Sequence, residues 1–127
     1  LRASLLSLAL ACIPALAQNQ AIQVRVAAHQ SLIRELRDDL SRYKPSHPQV
    51  TQSRSLIGVL EEQTRLMQQP RETWKPDKLE DQIKAITLQL SILRNQEANY
   101  RPSHPGLIRN RAMVDLLEED LRSLQPL

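Results

Sequence analysis

The sequence predicts an all-α protein: two tandem antiparallel helical hairpins, packed as a coiled coil or four-helix bundle, after a signal peptide. Three observations predict it. The word Tyr43-Lys44-Pro45-Ser46-His47-Pro48 returns as Tyr100-Arg101-Pro102-Ser103-His104-Pro105, 57 positions on. Apolar residues on both sides of each word step by alternating fours and threes, a helical seam that the period-two alternation of a strand cannot produce. The composition is that of long helices: 2 glycines, no Phe and 2% aromatic residues in 127, with Leu, Gln, Arg, Glu and Ala abundant. Aromatic side chains supply the largest buried areas of ordinary cores. Without them, the core is expected to be made of aliphatic helix edges.

The first element is a leader over residues 1–17. Arg2 precedes an apolar run from Leu5 to Ile13, Pro14 interrupts it, and Ala15-Leu16-Ala17 supplies the small residues that signal peptidase requires. Cleavage is expected after Ala17. The run is too short for a permanent membrane anchor. Ala9-Leu10-Ala11-Cys12 resembles an imperfect lipoprotein box, with Ala9 where Leu is usual, so a lipid anchor at Cys12 is the one membrane attachment considered. Cleavage after Ala17 leaves no cysteine and no disulfide framework. An exported, cysteine-free helical chain fits a bacterial periplasm.

The second element is hairpin unit 1, residues 18–70. Its first seam is Ile22, Val26, His29, Ile33, Leu36, Leu40 and Tyr43; its second is Val50, Ser53, Ile57, Leu60, Thr64 and Met67. The corner word has a mechanical reading. Pro45 cannot continue a helix and pushes the residue before it out of the helical region. Pro48 suits the first turn of the next helix, where its missing N–H costs nothing. Ser46 or His47 can cap that helix, Ser46 with Gln49 resembling a capping box, and the Tyr43 ring can lid the turn. Each arm is about 20 residues, roughly 30 Å of helix.

A linker over 71–76 follows, in which Trp74 is expected to staple against a helix face. Unit 2, residues 77–127, begins with Asp77 and Glu80 as its start signal. Its seams are the same list shifted by 57: Leu79, Ile83, Ile86, Leu90, Leu93, Glu97 and Tyr100, then Leu107, Asn110, Val114, Leu117, Leu121 and Leu124. Identities at that offset extend beyond the corner, to Leu36-Arg37 with Leu93-Arg94 and Leu60-Glu61-Glu62 with Leu117-Glu118-Glu119. Duplication accounts for all of them. A further apolar row, Leu32, Leu56, Val59, Leu66, Ile92, Met113 and Leu116, precedes the seam by one position. It widens the face beyond a two-stranded zipper, so each helix needs more than one neighbour, in a bundle or an oligomer.

Charge and motif content exclude several function classes. The formal charge is +3, from 17 basic and 14 acidic residues interspersed along the chain. That is a solvated surface rather than a nucleic-acid-binding stripe. No nucleophile elbow, glycine-rich phosphate loop or paired buried acid is legible, so no catalytic residue, cofactor or enzymatic activity is expected. His29 stands on a seam, where a buried, hydrogen-bonded histidine is the ordinary outcome. His47 and His104 are expected to cap helices and bond within the turns. They become weak metal candidates only if the two turns meet, because neither has a second ligand at metal spacing. The residues expected to carry structure and interaction are Tyr43, Pro45, His47, Pro48, Tyr100, Pro102, His104 and Pro105 at the corners, and Ile33, Leu36, Leu60, Leu90, Leu93 and Leu117 on the seams.

The corner word with its Leu-rich heptads, followed by Leu60-Glu61 and Leu117-Glu118, resembles the periplasmic coiled-coil region of the polysaccharide co-polymerases, the exopolysaccharide chain-length determinants. The likeness covers roughly 32–67 and 90–124. It does not extend to that family's flanking membrane helices or kinase domain. It implies an envelope structural or interaction protein whose partner is itself or another coiled-coil envelope protein, associated with polysaccharide export or chain-length control. A second resemblance, to kinesin-light-chain-type tetratricopeptide repeats, rests on the aliphatic–Pro–His-Pro word alone and implies a binding module; the 57-residue interval and the missing small-residue positions depart from it. A periplasmic helical chaperone or metal-stress protein is the remaining alternative.

Overall fold

A computed structural model describes the backbone of residues 2–125 and the side chains of residues 19–125. The expected leader, with its cleavage site after Ala17 and with Cys12, lies outside the described side chains. Four helices follow one another: α1 (Arg2–Leu40), α2 (Pro48–Met67), α3 (Pro76–Glu97) and α4 (Pro105–Leu124), with one turn of 3-10 helix, Arg71–Thr73, between α2 and α3. Among the described residues there is no strand, and no helix is long and apolar enough to cross a membrane.

Prolines set the helix starts. Pro48, Pro76 and Pro105 each stand in the first turn of their helix, where the ring presets the backbone angle and no amide hydrogen bond is lost. The two corner helices are capped by His47 and His104, not by the Ser46–Gln49 box the sequence also allows. α3 begins at Pro76, behind Lys75, which makes no side-chain cap bond, so Asp77 falls inside the helix.

Most of the seam is buried; Ile22 and Tyr43 at its ends are exposed, and Leu40, Leu79, Ile83, Glu97, Tyr100 and Leu121 are half-buried. Val26, His29, Ile33 and Leu36 of α1, Val50, Ser53, Ile57, Leu60, Thr64 and Met67 of α2, Ile86, Leu90 and Leu93 of α3, and Leu107, Asn110, Val114, Leu117 and Leu124 of α4 are all buried. One apolar cluster takes residues from all four helices, and Leu60, Ile86, Leu117 and Leu124 have no exposed surface. At roughly 1.5–3 kcal/mol for each fully buried aliphatic side chain, this cluster is the main favourable term in folding.

α1 packs on α2 and α3 on α4, while α2 lies beside α3. Arg25 of α1 bonds Asp120 near the end of α4, and Arg109 near the start of α4 bonds Asp39 near the end of α1. α1 and α4 are therefore antiparallel neighbours, and the four helices close into a ring. The hairpins lie side by side. Both corners sit at one end of the bundle. The linker lies at the other, where Arg71 donates to the Gln125 carbonyl at 3.1 Å. Trp74 packs against the core and donates from its indole N–H to the Leu66 carbonyl at 3.0 Å, stapling the linker to the end of α2.

Replacing Leu117, fully buried, by Ala is expected to lower unfolding free energy in urea by about 2–5 kcal/mol. Replacing Leu88, 60% exposed on α3, by Ala is expected to change it by less than about 0.5 kcal/mol. Equal effects would mean that the helices face the other way.

Candidate functional site

Two features stand out from a bundle of ordinary aliphatic packing: the matched corners, and a polar joint between the hairpins.

The corners are built alike. At each, the tyrosine that ends one helix stacks on the histidine that caps the next, Tyr43 on His47 at 4.7 Å and Tyr100 on His104 at 4.8 Å between centroids, both at 28°. The histidine accepts through Nδ1 from a first-turn amide, Gln49 N at 3.1 Å or Gly106 N at 2.9 Å. Nδ1 is thus occupied at both corners, and each metal candidate retains only Nε2. Gly106 replaces the Gln49 of unit 1. A Cβ there would lie 2.9 Å from His104 Nδ1 and 3.3 Å from the Tyr100 ring, so glycine lets the ring settle closer to the amide it caps. Residues 41–48 are exposed throughout, and Tyr43 is 41% exposed. Among the described residues no group of three or more potential metal ligands occurs.

Within each hairpin, the same ion pair joins the arms. Arg37 donates to Glu61 in unit 1, and Arg94 to Glu118 in unit 2. A neighbouring pair lies along α2: Arg65 donates to Glu62 through Nε at 2.9 Å and through Nη2. The hydrogen bond from Arg65 holds the Glu62 carboxyl below its ordinary value of 4.5; partial burial opposes this, and the positive charges of Arg65 and Lys78 reinforce it. A depressed carboxylate contributes stability above its unfolded value and loses it as pH falls, so this small surface contribution fades on acidification.

Between the hairpins the two copies diverge. Where α1 meets α4, His29 and Asp120 are fully buried, with His29 Nε2 2.6 Å from Asp120 Oδ2. Arg25 Nη2 donates to Asp120 Oδ1 at 2.7 Å, and Arg25 Nε lies 3.9 Å from Glu119. His29 Nδ1 lies 2.6 Å from the Arg25 carbonyl, which can only accept, so Nδ1 carries a proton. Nε2 and Asp120 Oδ2 are joined by one hydrogen bond, so the ring ties the Arg25 carbonyl to the Asp120 side chain. Further along the joint, Arg109 bonds Asp39 and lies 3.8 Å from Glu35.

Where α2 meets α3 the joint is neutral. Gln82 donates to the Val59 carbonyl at 3.1 Å and to Gln63 Oε1 at 3.3 Å, and Gln89 donates to Ser55 at 2.9 Å. At the 57-residue offset, Gln82 is the copy of Arg25, Ile86 of His29, and Asp120 of Gln63. One joint is ionic and its twin is amide-bonded.

Of the residues singled out from sequence, the structure gathers Ile33, Leu36, Leu60, Leu90, Leu93 and Leu117 into the core and sets the eight corner residues at one end. Sequence reasoning missed Arg25, Gln63, Gln82, Gln89, Arg109 and Asp120. A signal existed: every one of them stands one position before a seam residue, in the same row as Leu32, Met113 and Leu116. Polar side chains in an otherwise apolar row mark the hairpin–hairpin joint.

What fold and site define is a class: a duplicated helical hairpin closed into a bundle by one ionic joint and one neutral joint. No family model, curated protein or solved structure matches the chain.

His47→Ala and His104→Ala, each removing a cap and a stacked ring, are expected to lower unfolding free energy by about 1 kcal/mol. Chemical denaturation checks this. No loss from either would show that the rings do not hold the corners.

Proposed function

We propose that this protein is a non-enzymatic, exported structural and interaction module of the bacterial cell envelope, and that it docks through the end carrying its two corners. The observation that carries this reading is the repetition of one surface device, a tyrosine stacked on an exposed capping histidine, at the same end of the bundle. Starting a helix does not require it in this chain, since α3 begins behind Lys75 with no side-chain cap. The exposed Tyr43 ring beside Arg42 and Lys44, and the half-buried Tyr100 ring beside Arg101, suit a protein surface, because tyrosine and arginine are enriched where interfaces concentrate their energy. The apolar seams are consumed inside the bundle, which leaves corners and outer faces as the contact surface. The likeness of the corner words to polysaccharide co-polymerase coiled coils supplies the class of partner, a second coiled-coil envelope protein, and the setting, polysaccharide export or chain-length control. The signal-like leader supplies the compartment.

The test is site-specific photo-crosslinking in the producing bacterium, with the photoreactive residue at position 43, 100 or 88. Cross-links to one envelope protein from 43 and 100, none from 88, and recovery of the protein in the periplasmic fraction are expected. Cytoplasmic recovery, or cross-links from 88 alone, would contradict the proposal.

A further inference from the structure

The two joints between the hairpins occupy equivalent places and differ in chemistry, and the difference determines which hairpins can pair. In the bundle, α1 of unit 1 faces α4 of unit 2, and α3 of unit 2 faces α2 of unit 1. Exchanging the units maps one joint onto the other, Arg25–Asp120 onto Gln82–Gln63. A hairpin that had not diverged would therefore pair with another copy of itself through two identical joints. This chain's hairpins have diverged at the positions that meet.

We infer that the buried Arg25–His29–Asp120 cluster is a pairing-specificity device, which makes hairpin unit 1 accept unit 2 and reject a second unit 1, and makes unit 2 reject a second unit 2. The argument follows from the copies. Pairing two units 1 would set Arg25 and His29 against Gln63 at both joints, with Glu62 in the outer place of Glu119 but no carboxylate in the buried place of Asp120. Pairing two units 2 would shut Asp120 against Gln82 and Ile86, with no cation. Asp120 and His29 have no exposed surface in the native pairing, so pairing two units 2 would bury the Asp120 carboxyl without its partners, and pairing two units 1 would leave the buried His29 ring and Arg25 without theirs, arrangements costly in a protein interior. The far end of the joint repeats the logic with its own charges. Glu35 and Asp39 would meet Gln52 in one like pairing, and Arg109 would meet Ile92 and Gln96 in the other. Each unit carries both signs, placed so that only the unlike pairing neutralises both ends. The α2–α3 joint is held by amides and adds no ionic demand of its own. Specificity of this kind comes from penalties on the wrong pairings rather than from stronger attraction in the right one. It governs the second copy of this chain as a partner: two copies can join only by exchanging unlike hairpins, so side-by-side pairing of like units is closed to them.

The test uses the complete chain with a protease site in the exposed linker between Gln69 and Glu72. The folded protein is cut, so that both hairpins are retained, then unfolded in urea and refolded, and native mass spectrometry reads which hairpins pair. Unlike pairs alone are expected. In the variant Arg25→Gln, His29→Ile, Asp120→Gln, which copies the neutral joint onto this cluster and leaves Arg109, Glu35 and Asp39 in place, like pairs are expected to appear, short of the random share of about a quarter for each kind. Like pairs in the unsubstituted protein, halves that do not re-associate, or a triple variant that still forms unlike pairs alone would each overturn the inference. In the uncut chain, Asp120→Gln by itself is expected to melt at a lower temperature than the triple variant, because it leaves Arg25 and the fully buried His29 without the carboxylate they bond; the reverse order would also overturn it.

Discussion

Each helix of this protein carries two adjoining rows of inward-facing residues, one position apart, and that doubling is the constraint from which the architecture follows. A single seam is satisfied by one partner, as in a two-stranded coiled coil. Two rows, separated by about 100° of helical turn, must meet two partners. The seam row closes each hairpin on itself and fills the common core. The row before it presses hairpin against hairpin. With four helices and two rows each, the simplest closed solution is a ring, and the structure is that ring. The corner prolines and the stapled Trp74 linker fix the order of the helices around it.

The energetic roles of the two rows differ. The seam is mostly aliphatic, with His29, Ser53, Thr64 and Asn110 as its buried polar members, and its burial is the main source of stability. The joint row mixes leucines and methionines with amides and charges. Buried ion pairs add little net stability, because desolvation offsets their attraction, but they are costly to break once buried. They therefore act on the choice of structure more than on its depth. The cluster of Arg25, His29 and Asp120 fits that role: it fixes register and partner for α1 and α4, while Leu36, Leu60, Leu90 and Leu117 hold the bundle together. The exposed corners then stand on a rigid base, with their rings held by stacking and by a backbone amide.

Much of this was legible in the sequence because helical burial is periodic. The seam residues could be named from their spacing, and the corner words from prolines whose chemistry allows few conformations. The buried place of His29 followed from its seam position. Other features were hidden for physical reasons. The place of Asp120 and Gln63 one position before the seam marks a joint row, but spacing does not tell which partner such a residue meets, and Arg25 is 95 positions away in the chain. The choice of His47 over Ser46 as cap turns on the stacking of Tyr43, a contact between side chains that spacing does not reveal. Whether the hairpins lie side by side or end to end depends on the joint row, whose polar members disguised it as outer surface.

The central claim is that α1 and α4 are neighbours joined through Arg25 and Asp120. A double-mutant cycle of unfolding free energies, on Arg25→Gln, Asp120→Gln and the pair, tests it most directly. The account predicts a coupling above about 1 kcal/mol, the pair costing less than the sum of the single changes. Additivity within about 0.5 kcal/mol would mean that the two side chains do not meet, and the ring would be open on that side.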